Sequence, residues 1–282
     1  MSERVAGLIG YPVAQSLSRR LHEFWLRELG VAGAYIPLAV ARGDFSAVVE
    51  GQRRAGFAGV NVTAPHKQAA YAFGDSVDEI ARKTGAANLL VFQSDGTIHA
   101  RNTDVDGMSA SLTEEIGADR IQDGSVVVLG AGGAARAAVL ALDRFGVRQI
   151  RILNRDSARA TKLATDLGSL VRVELTALPW NEWKTAASLT VLLVNATSGG
   201  MAGSEPLDLL PEALPASAAV YDLVYNPLET ELVKQARQRG LTAANGLGML
   251  MHQAIPAFEA FFGVKPQVSA ALRAHLEAAL RT

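Results

Sequence analysis

Three short segments of the chain carry polar residues where a sheet strand would prefer apolar ones. "GVNVTAPHK" sets Asn61, Thr63 and Lys67 around a strand end and a proline turn, "GAANLL" sets Asn88 ahead of an apolar run, and "ARNTDVDG" sets Asn102, Thr103 and Asp104 at another strand end. A fourth segment, "GYPVAQSLSRR", holds Ser16 and Ser18 just before a helical pattern. Singly, each has an ordinary explanation: Asn and Asp favour turns, Thr favours strands, and an isolated lysine is usually solvated. Together they call for more, because an open α/β sheet binds its ligands beyond the carboxyl ends of its strands. A Lys and an Asp in one cleft can share and pass a proton, each biasing the other's ionisation. Among hydroxyls and amides, that is equipment for proton transfer at an alcohol or a ketone. Ser18 reads as the N-cap of a helix beginning at Arg19. Ser16 is then spare, and in extended backbone residues i and i+2 point the same way. Both hydroxyls can therefore face an anion such as a carboxylate at a helix N-terminus.

A second constellation lies in "VVVLGAGGAARAAVLAL", where Gly130, Gly132 and Ala135 have the G-x-G-x-x-[G/A] spacing between an apolar strand and a helix. Gly130 allows the tight turn, Gly132 lets the backbone approach a pyrophosphate, and Ala135 lets helix and strand pack closely. The free N–H groups of the helix N-terminus complete a dinucleotide site. The next strand, "QIRILN", ends on Asn154, followed by Arg155, Asp156 and Arg159. An NAD site places a carboxylate at this strand end for the ribose diol, whereas guanidiniums suit a 2′-phosphate. This favours NADP and leaves NAD open, with Asp156 read as the N-cap of a helix starting at Ser157. Beside a nicotinamide, the Lys–Asp pair would serve carbonyl–alcohol interconversion. A sensor that binds nucleotide without reacting is the non-enzyme alternative, but it would have no need of such a pair.

Short apolar runs alternate with helix-like segments over most of the 282 residues, which argues for parallel sheets covered by helices on both faces. "ANLLVFQ" and "IHARNTD" read as a strand pair turned at Asp95-Gly96. The polar, turn-rich stretch Asp119–Gly124 is the natural domain boundary ahead of the glycine turn. A net charge of −1, with both signs mixed along the chain, lacks the basic stripe of a nucleic-acid binder. The chain has no cysteine, which removes disulfides, thiolate metal sites and cysteine nucleophiles. The start, "MSERVAGLIGYP", has charges where a signal peptide needs an apolar stretch, and no apolar run reaches spanning length. A cytoplasmic protein acting on a small molecule is expected. The five histidines, His22, His66, His99, His252 and His275, have no ligand spacing, which argues against a metal site. "NATSGG" lacks the glycine two positions before Ser198 that a serine-hydrolase elbow requires.

The motifs "GYPVAQSLS", "GVNVTAPHK", "GAAN", "NTD", "VVVLGAGGAARA", "NRD", "NATSGGM", "YDLVYNP" and "NGLGMLMHQA" run from residue 10 to about 254. In that order they resemble the shikimate dehydrogenase family, including the quinate/shikimate dehydrogenases. The resemblance implies a two-domain α/β fold with a Rossmann-type cofactor domain, residues 107–246, inserted into a discontinuous substrate domain, residues 1–106 and 247–282. It implies the reversible NADPH-linked reduction of 3-dehydroshikimate to shikimate in aromatic amino-acid biosynthesis, or the analogous quinate step with NAD. Lys67 and Asp104 would be catalytic. Ser16 and Ser18 would hold the substrate carboxylate, Thr63, Asn88, Thr103 and Gln253 would contact carboxylate or ring hydroxyls, and Tyr225 would close over the substrate. Gly130, Ala131, Gly132, Gly133 and Ala134 would hold the pyrophosphate, with Asn154, Arg155 and Arg159 at the adenosine end. Thr197, Leu223, Gly246 and Met249 would line the nicotinamide. The expected assembly is a monomer or homodimer, with no nucleic-acid or membrane partner. The chain departs from the family pattern at Gln15, Arg19, Leu89, Arg101, Asp156 and Asn245, which bears on substrate and cofactor preference and leaves the Lys–Asp pair intact.

Overall fold

The structure, a computed structural model, describes residues 3–209 and 211–281. The chain forms two compact units, Met1–Asp104 with Met251–Thr282, and Val105–Leu250. The turn at Asp119–Gly124, expected from composition to separate two domains, instead lies inside the second unit. Its first residues lie in a short helix and its last lead into the first strand of that unit's sheet. Residues 105–115 belong there too, because Ser111 shares a buried 2.6 Å hydrogen bond with the Tyr221 hydroxyl. Side-chain packing, which local composition does not report, sets the boundary. Among the described residues no helix is long and apolar enough to cross a membrane.

The first unit opens with β1 (Arg4–Gly10), α1 (Ser18–Glu28), β2 (Gly33–Ala39), α2 (Phe45–Arg54) and β3 (Gly59–Val62). It continues with α3 (Lys67–Phe73), β4 (Ser76–Val77), α4 (Glu79–Thr84), β5 (Leu89–Phe92) and β6 (Ile98–Arg101). Its six strands are ordered β2-β1-β3-β5-β6-β4. β1 runs parallel to β2 and β3, but β5 is antiparallel to both β3 and β6. The sheet is therefore mixed, where alternation alone suggested a parallel one. The β5–β6 hairpin, with Gly96 at φ +87° in its turn, puts an antiparallel pair into the sheet. Ile9, Val60, Val62 and Leu90 make a dry core on one face.

The second unit contains α5 (Asp104–Glu115), whose first residue belongs to the other unit, then α6 (Ala118–Ile121), β7 (Ser125–Leu129), α7 (Gly133–Arg144) and β8 (Gln149–Asn154). Next come α8 (Ser157–Gly168), β9 (Glu174–Pro179), α9 (Trp183–Ala187), β10 (Leu192–Asn195), β11 (Ala219–Asp222), α10 (Glu231–Gln238) and β12 (Thr242–Asn245). All six strands are parallel, in the order β12-β11-β10-β7-β8-β9. β7 and β10, buried at every residue, read as continuous apolar runs, as strands covered on both faces must. Strand order reverses between β7 and β10, which is where an open parallel sheet leaves a crevice at its carboxyl edge. Helices α11 (Leu247–Phe262) and α12 (Ala270–Leu280) complete the chain.

Candidate active site

In the first unit, Lys67 begins α3 and Asp104 follows β6. Lys67 Nζ lies 2.6 Å from Asp104 Oδ2, with the lysine side chain 29% exposed and the aspartate 8%. A cation this close to a nearly buried carboxylate is positioned, and the pair retains access for a reactant. Asn88 donates from Nδ2 to Asp104 Oδ1 at 2.8 Å and to Thr103 Oγ1 at 3.0 Å. Its Oδ1 accepts from the Thr103 backbone N–H at 2.8 Å. Gln253, on α11, joins from the other end of the chain. Thr103 Oγ1 donates to its backbone carbonyl at 2.8 Å, and its side-chain Oε1 is 3.3 Å from Asn88 Nδ2. Asn102 caps the turn into α5, accepting from the Asp104 N–H while donating to the Ala86 carbonyl. Five of the residues singled out in the sequence, Lys67, Asn88, Thr103, Asp104 and Gln253, thus share one hydrogen-bonded cluster. Thr63 sits at the end of β3 beside Gly10. A Cβ on Gly10 would meet Thr63 Cγ2, so only glycine lets β1 pass this residue.

The two serines differ from expectation. Helix α1 begins at Ser18, and no side chain caps it from Leu17, which has helical dihedrals. Ser16 Oγ takes the capping part, accepting from the Ser18 N–H at 3.3 Å, and it donates to Ser18 Oγ at 3.2 Å. The roles are exchanged because the helix starts one residue earlier than the polar pattern suggests. The hydroxyls do lie side by side at the N-terminus of an eleven-residue helix. Behind them His22 is buried, its Nδ1 2.8 Å from the Ser18 carbonyl, and burial holds its pKa down at about 4.

In the second unit the glycine turn has the conformation its spacing requires. Gly130 adopts φ +106°, and a Cβ there would press on the Ala196 carbonyl at 2.9 Å and Thr197 Cγ2 at 3.2 Å. Thr197 and the glycine turn therefore meet. Gly132 and Gly133 face open space, and no side chain caps α7, whose first N–H groups point into it beside Ala131 and Ala134. A pyrophosphate fits this cradle. At the end of β8, the Asp156 carboxylate caps α8, accepting from the Ala158 and Arg159 N–H groups. Both bonds go to Oδ1, so the capping reading of Asp156 holds while its second oxygen stays exposed. Arg155 and Arg159 are exposed, as a 2′-phosphate would need. The Arg155 guanidinium lies 5.8 Å from the Trp180 ring centre and 3.6 Å from Asp208. Asn154, half-buried, donates to the Asp156 backbone carbonyl at 2.9 Å. Gly246 is obligatory because the Leu223 backbone passes where a Cβ would stand. Tyr225, half-buried after β11, has its hydroxyl pushed above the usual tyrosine value by desolvation, and Met249 lies on the first turn of α11.

Sequence reasoning passed over a buried network at the ends of β10 and β11. Asp222 accepts from Thr230 Oγ1 at 2.6 Å, Asn195 Nδ2 at 2.8 Å and the Val224 N–H. Burial nonetheless pushes its carboxyl above the usual value. Asn195 in turn accepts from Thr197 Oγ1 at 2.7 Å, which orients that residue. The available signal was a lone carboxylate inside the apolar run "AAVYDLVY". Among the described residues no group of three or more His, Cys, Asp or Glu could hold a metal ion.

Residues 8–90 match the family model described as shikimate dehydrogenase substrate binding domain, and residues 111–201 the model described as shikimate/quinate 5-dehydrogenase. The chain is 48% identical over 271 residues to the NADP(+)-type shikimate dehydrogenase of Paramagnetospirillum magneticum, covering 96% of this chain and 97% of that one. Its fold is similar to the Thermus thermophilus shikimate 5-dehydrogenase solved with NADP(H) and shikimate, with TM-score 0.83 and 35% identity over 99% of this chain and 98% of that one. It is similar also to the Corynebacterium glutamicum quinate dehydrogenase solved with NAD, with TM-score 0.89 and 30% identity over the full length of both.

Proposed function

The chain belongs to the shikimate dehydrogenase family, and on that premise we infer that it catalyses the reversible NADP(H)-linked reduction of 3-dehydroshikimate to shikimate. The 2.6 Å contact between Lys67 and Asp104, framed by Asn88, Thr103 and Gln253, carries the reading. NADPH, when bound, supplies the hydride. The chain must supply a proton to the oxygen that becomes a hydroxyl, and it must hold the ring still. Lys67 Nζ donates that proton as negative charge develops on the oxygen. Asp104 orients Nζ beforehand through their 2.6 Å contact. In the oxidising direction the same pair takes the proton back. Asn88, Thr103, Thr63 and Gln253 hold ring hydroxyls or carboxylate, and Ser16 and Ser18 receive the carboxylate, which the N-terminus of α1 favours electrostatically. Tyr225 is assigned to the substrate as well.

In the second unit, Gly130 to Ala134 receive the pyrophosphate and Arg155 and Arg159 the 2′-phosphate, with Asn154 beside them. Thr197, Leu223, Gly246 and Met249 line the nicotinamide. Arg155 and Arg159, both exposed just after β8, support NADP over NAD. The reading carries with it a cytoplasmic enzyme, monomeric or homodimeric, whose partner is a small carboxylate. Initial rates of oxidation of shikimate and of quinate, each with NADP+ and with NAD+, test it. The expected result is that shikimate with NADP+ gives the largest kcat/KM of the four combinations. A larger value for quinate with NAD+ would transfer the assignment to the quinate branch of the family.

A further inference from the structure

A chain of hydrogen bonds runs from β2 to the Lys67–Asp104 pair through the side chains of Tyr35 and Asn61 and both the backbone and the side chain of Asn88. Tyr35, 3% exposed at the middle of β2, donates its hydroxyl to Asn61 Oδ1 at 2.9 Å. That bond decides which way the Asn61 amide faces, because an oxygen can accept it and an NH2 cannot. With its oxygen turned to Tyr35, Asn61 presents Nδ2 to the Asn88 backbone carbonyl at 3.2 Å. The same carbonyl accepts from the Val62 N–H at 2.8 Å, so Asn88 is pinned to β3 by two donors. The Asn88 side chain then holds Asp104 Oδ1 at 2.8 Å, and Asp104 Oδ2 holds Lys67. On its other side the Tyr35 ring is stacked on His22, with centroids 3.9 Å apart and planes within 10°. His22 in turn bonds the Ser18 carbonyl. Tyr35 thus stands between the segment bearing the two serines and the segment bearing the reacting pair.

We propose that Tyr35 is a positioning residue for the dehydrogenase reaction, its hydroxyl setting the Asn61 amide so that Asn88 holds Asp104 and Lys67 in reacting geometry. The inference rests on Lys67 and Asp104 being the reacting pair. Its physical content is specific. Tyr35→Phe keeps the ring, its burial and its stack on His22, and deletes one donor. Asn61 Oδ1 is then a buried acceptor without its partner, and the amide is free to turn over. Turned over, it would present oxygen to the Asn88 carbonyl, two acceptors face to face, which repel. The disturbance reaches Asp104 through Asn88 rather than through the fold at large.

The test is steady-state kinetics on Tyr35→Phe, Asn61→Leu and the double variant, with thermal unfolding of each as the control for folding. Tyr35→Phe is expected to lower kcat about three- to tenfold, as the loss of one neutral hydrogen bond in the transition state would. KM for shikimate should change less than about twofold, since Tyr35 is buried and its hydroxyl is taken up by Asn61. In the Asn61→Leu background the Tyr35→Phe change should have no further effect on kcat, because the relay is already cut. A kcat for Tyr35→Phe within twofold of wild type overturns the proposal, as does the same loss in the Asn61→Leu background. If Tyr35→Phe does not fold, Asn61→Leu alone decides, with a kcat within twofold of wild type counting against. Lys67→Ala separates the two levels of inference. If it retains turnover, the assignment of the reacting pair falls and this proposal with it. If it is inactive while Tyr35→Phe is as fast as wild type, this proposal alone falls.

Discussion

At the scale of single residues, the site depends on a few charges and amides placed to within a hydrogen bond of one another. Lys67 is the only member of its cluster that carries a transferable proton on a cation, and Asp104, Asn88 and Thr103 exist around it as a frame. Lys67→Ala should therefore lower kcat by at least about 10²-fold, the usual range for loss of a general acid–base group. The protein should stay folded with a lowered unfolding temperature, because Asp104, 8% exposed, loses its counter-charge but keeps the Asn88 hydrogen bond. Turnover close to wild type in a folded Lys67→Ala protein would remove the lysine from the chemistry. The serine pair shows how little separates a capping residue from a ligand-binding one. One residue of difference in the helix start gives Ser16 the backbone N–H of Ser18 and sets the two hydroxyls 3.2 Å apart, with Ser18 the more buried.

At the scale of elements, helix starts and strand ends do the positioning. α7 begins without a side-chain cap beneath the glycine turn, whereas α8 begins under a full cap from Asp156. The contrast has a chemical use. An uncapped N-terminus keeps its donors for a phosphate, and a capped one has none to offer. Asp156→Ala should cost about 1 kcal/mol of stability, the ordinary worth of an N-cap. Asp156→Asn should cost only a few tenths, since Asn caps as well as Asp. The charge it removes from beside Arg155 and Arg159 should also tighten binding of 2′,5′-ADP. Denaturant unfolding and titration calorimetry on the two variants read these effects separately. Equal stability loss in both would mean that the carboxylate acts through its charge rather than through the cap. The Asp222 network plays a corresponding part at β10 and β11, where Asn195 and Thr230 tie the loops after both strands to one buried carboxylate.

At the scale of the whole molecule, His22 couples folding to acidity. Its pKa, held at about 4 by burial, lies below the ordinary 6.5. Between these values the unfolded chain binds a proton that the folded one refuses, so stability rises with pH across that window and is lost as pH falls through it. The depression is worth on the order of a few kcal/mol above pH 6.5, nearly all of it gone by about pH 4. In His22→Asn, which can still donate to the Ser18 carbonyl, the stability profile between pH 6.5 and 4 should be shallower by about one proton. An unchanged slope in urea-unfolding free energies would show that His22 is not the group responsible. Much of the architecture was legible beforehand. The fully buried runs of β7 and β10, the Asp95-Gly96 hairpin and the glycine turn are local patterns whose physics acts over a few residues, so sequence alone determines them. The chemistry-bearing residues were legible for a related reason: Asn, Lys and Asp at strand ends violate the apolar rule, and a violation is visible without coordinates. Local composition set a domain limit at the turn near 120, whereas the family resemblance set it at 106/107; the compact units divide after residue 104, with Ser111 bonded to Tyr221 across more than a hundred residues. Two things were decided only by tertiary structure. The mixed order of the first sheet followed from how the hairpin packs on β3. And the part played by Tyr35 lay hidden in an ordinary-looking strand, since a hydroxyl shows its use only when its partner, 26 residues away, is brought within 2.9 Å of it.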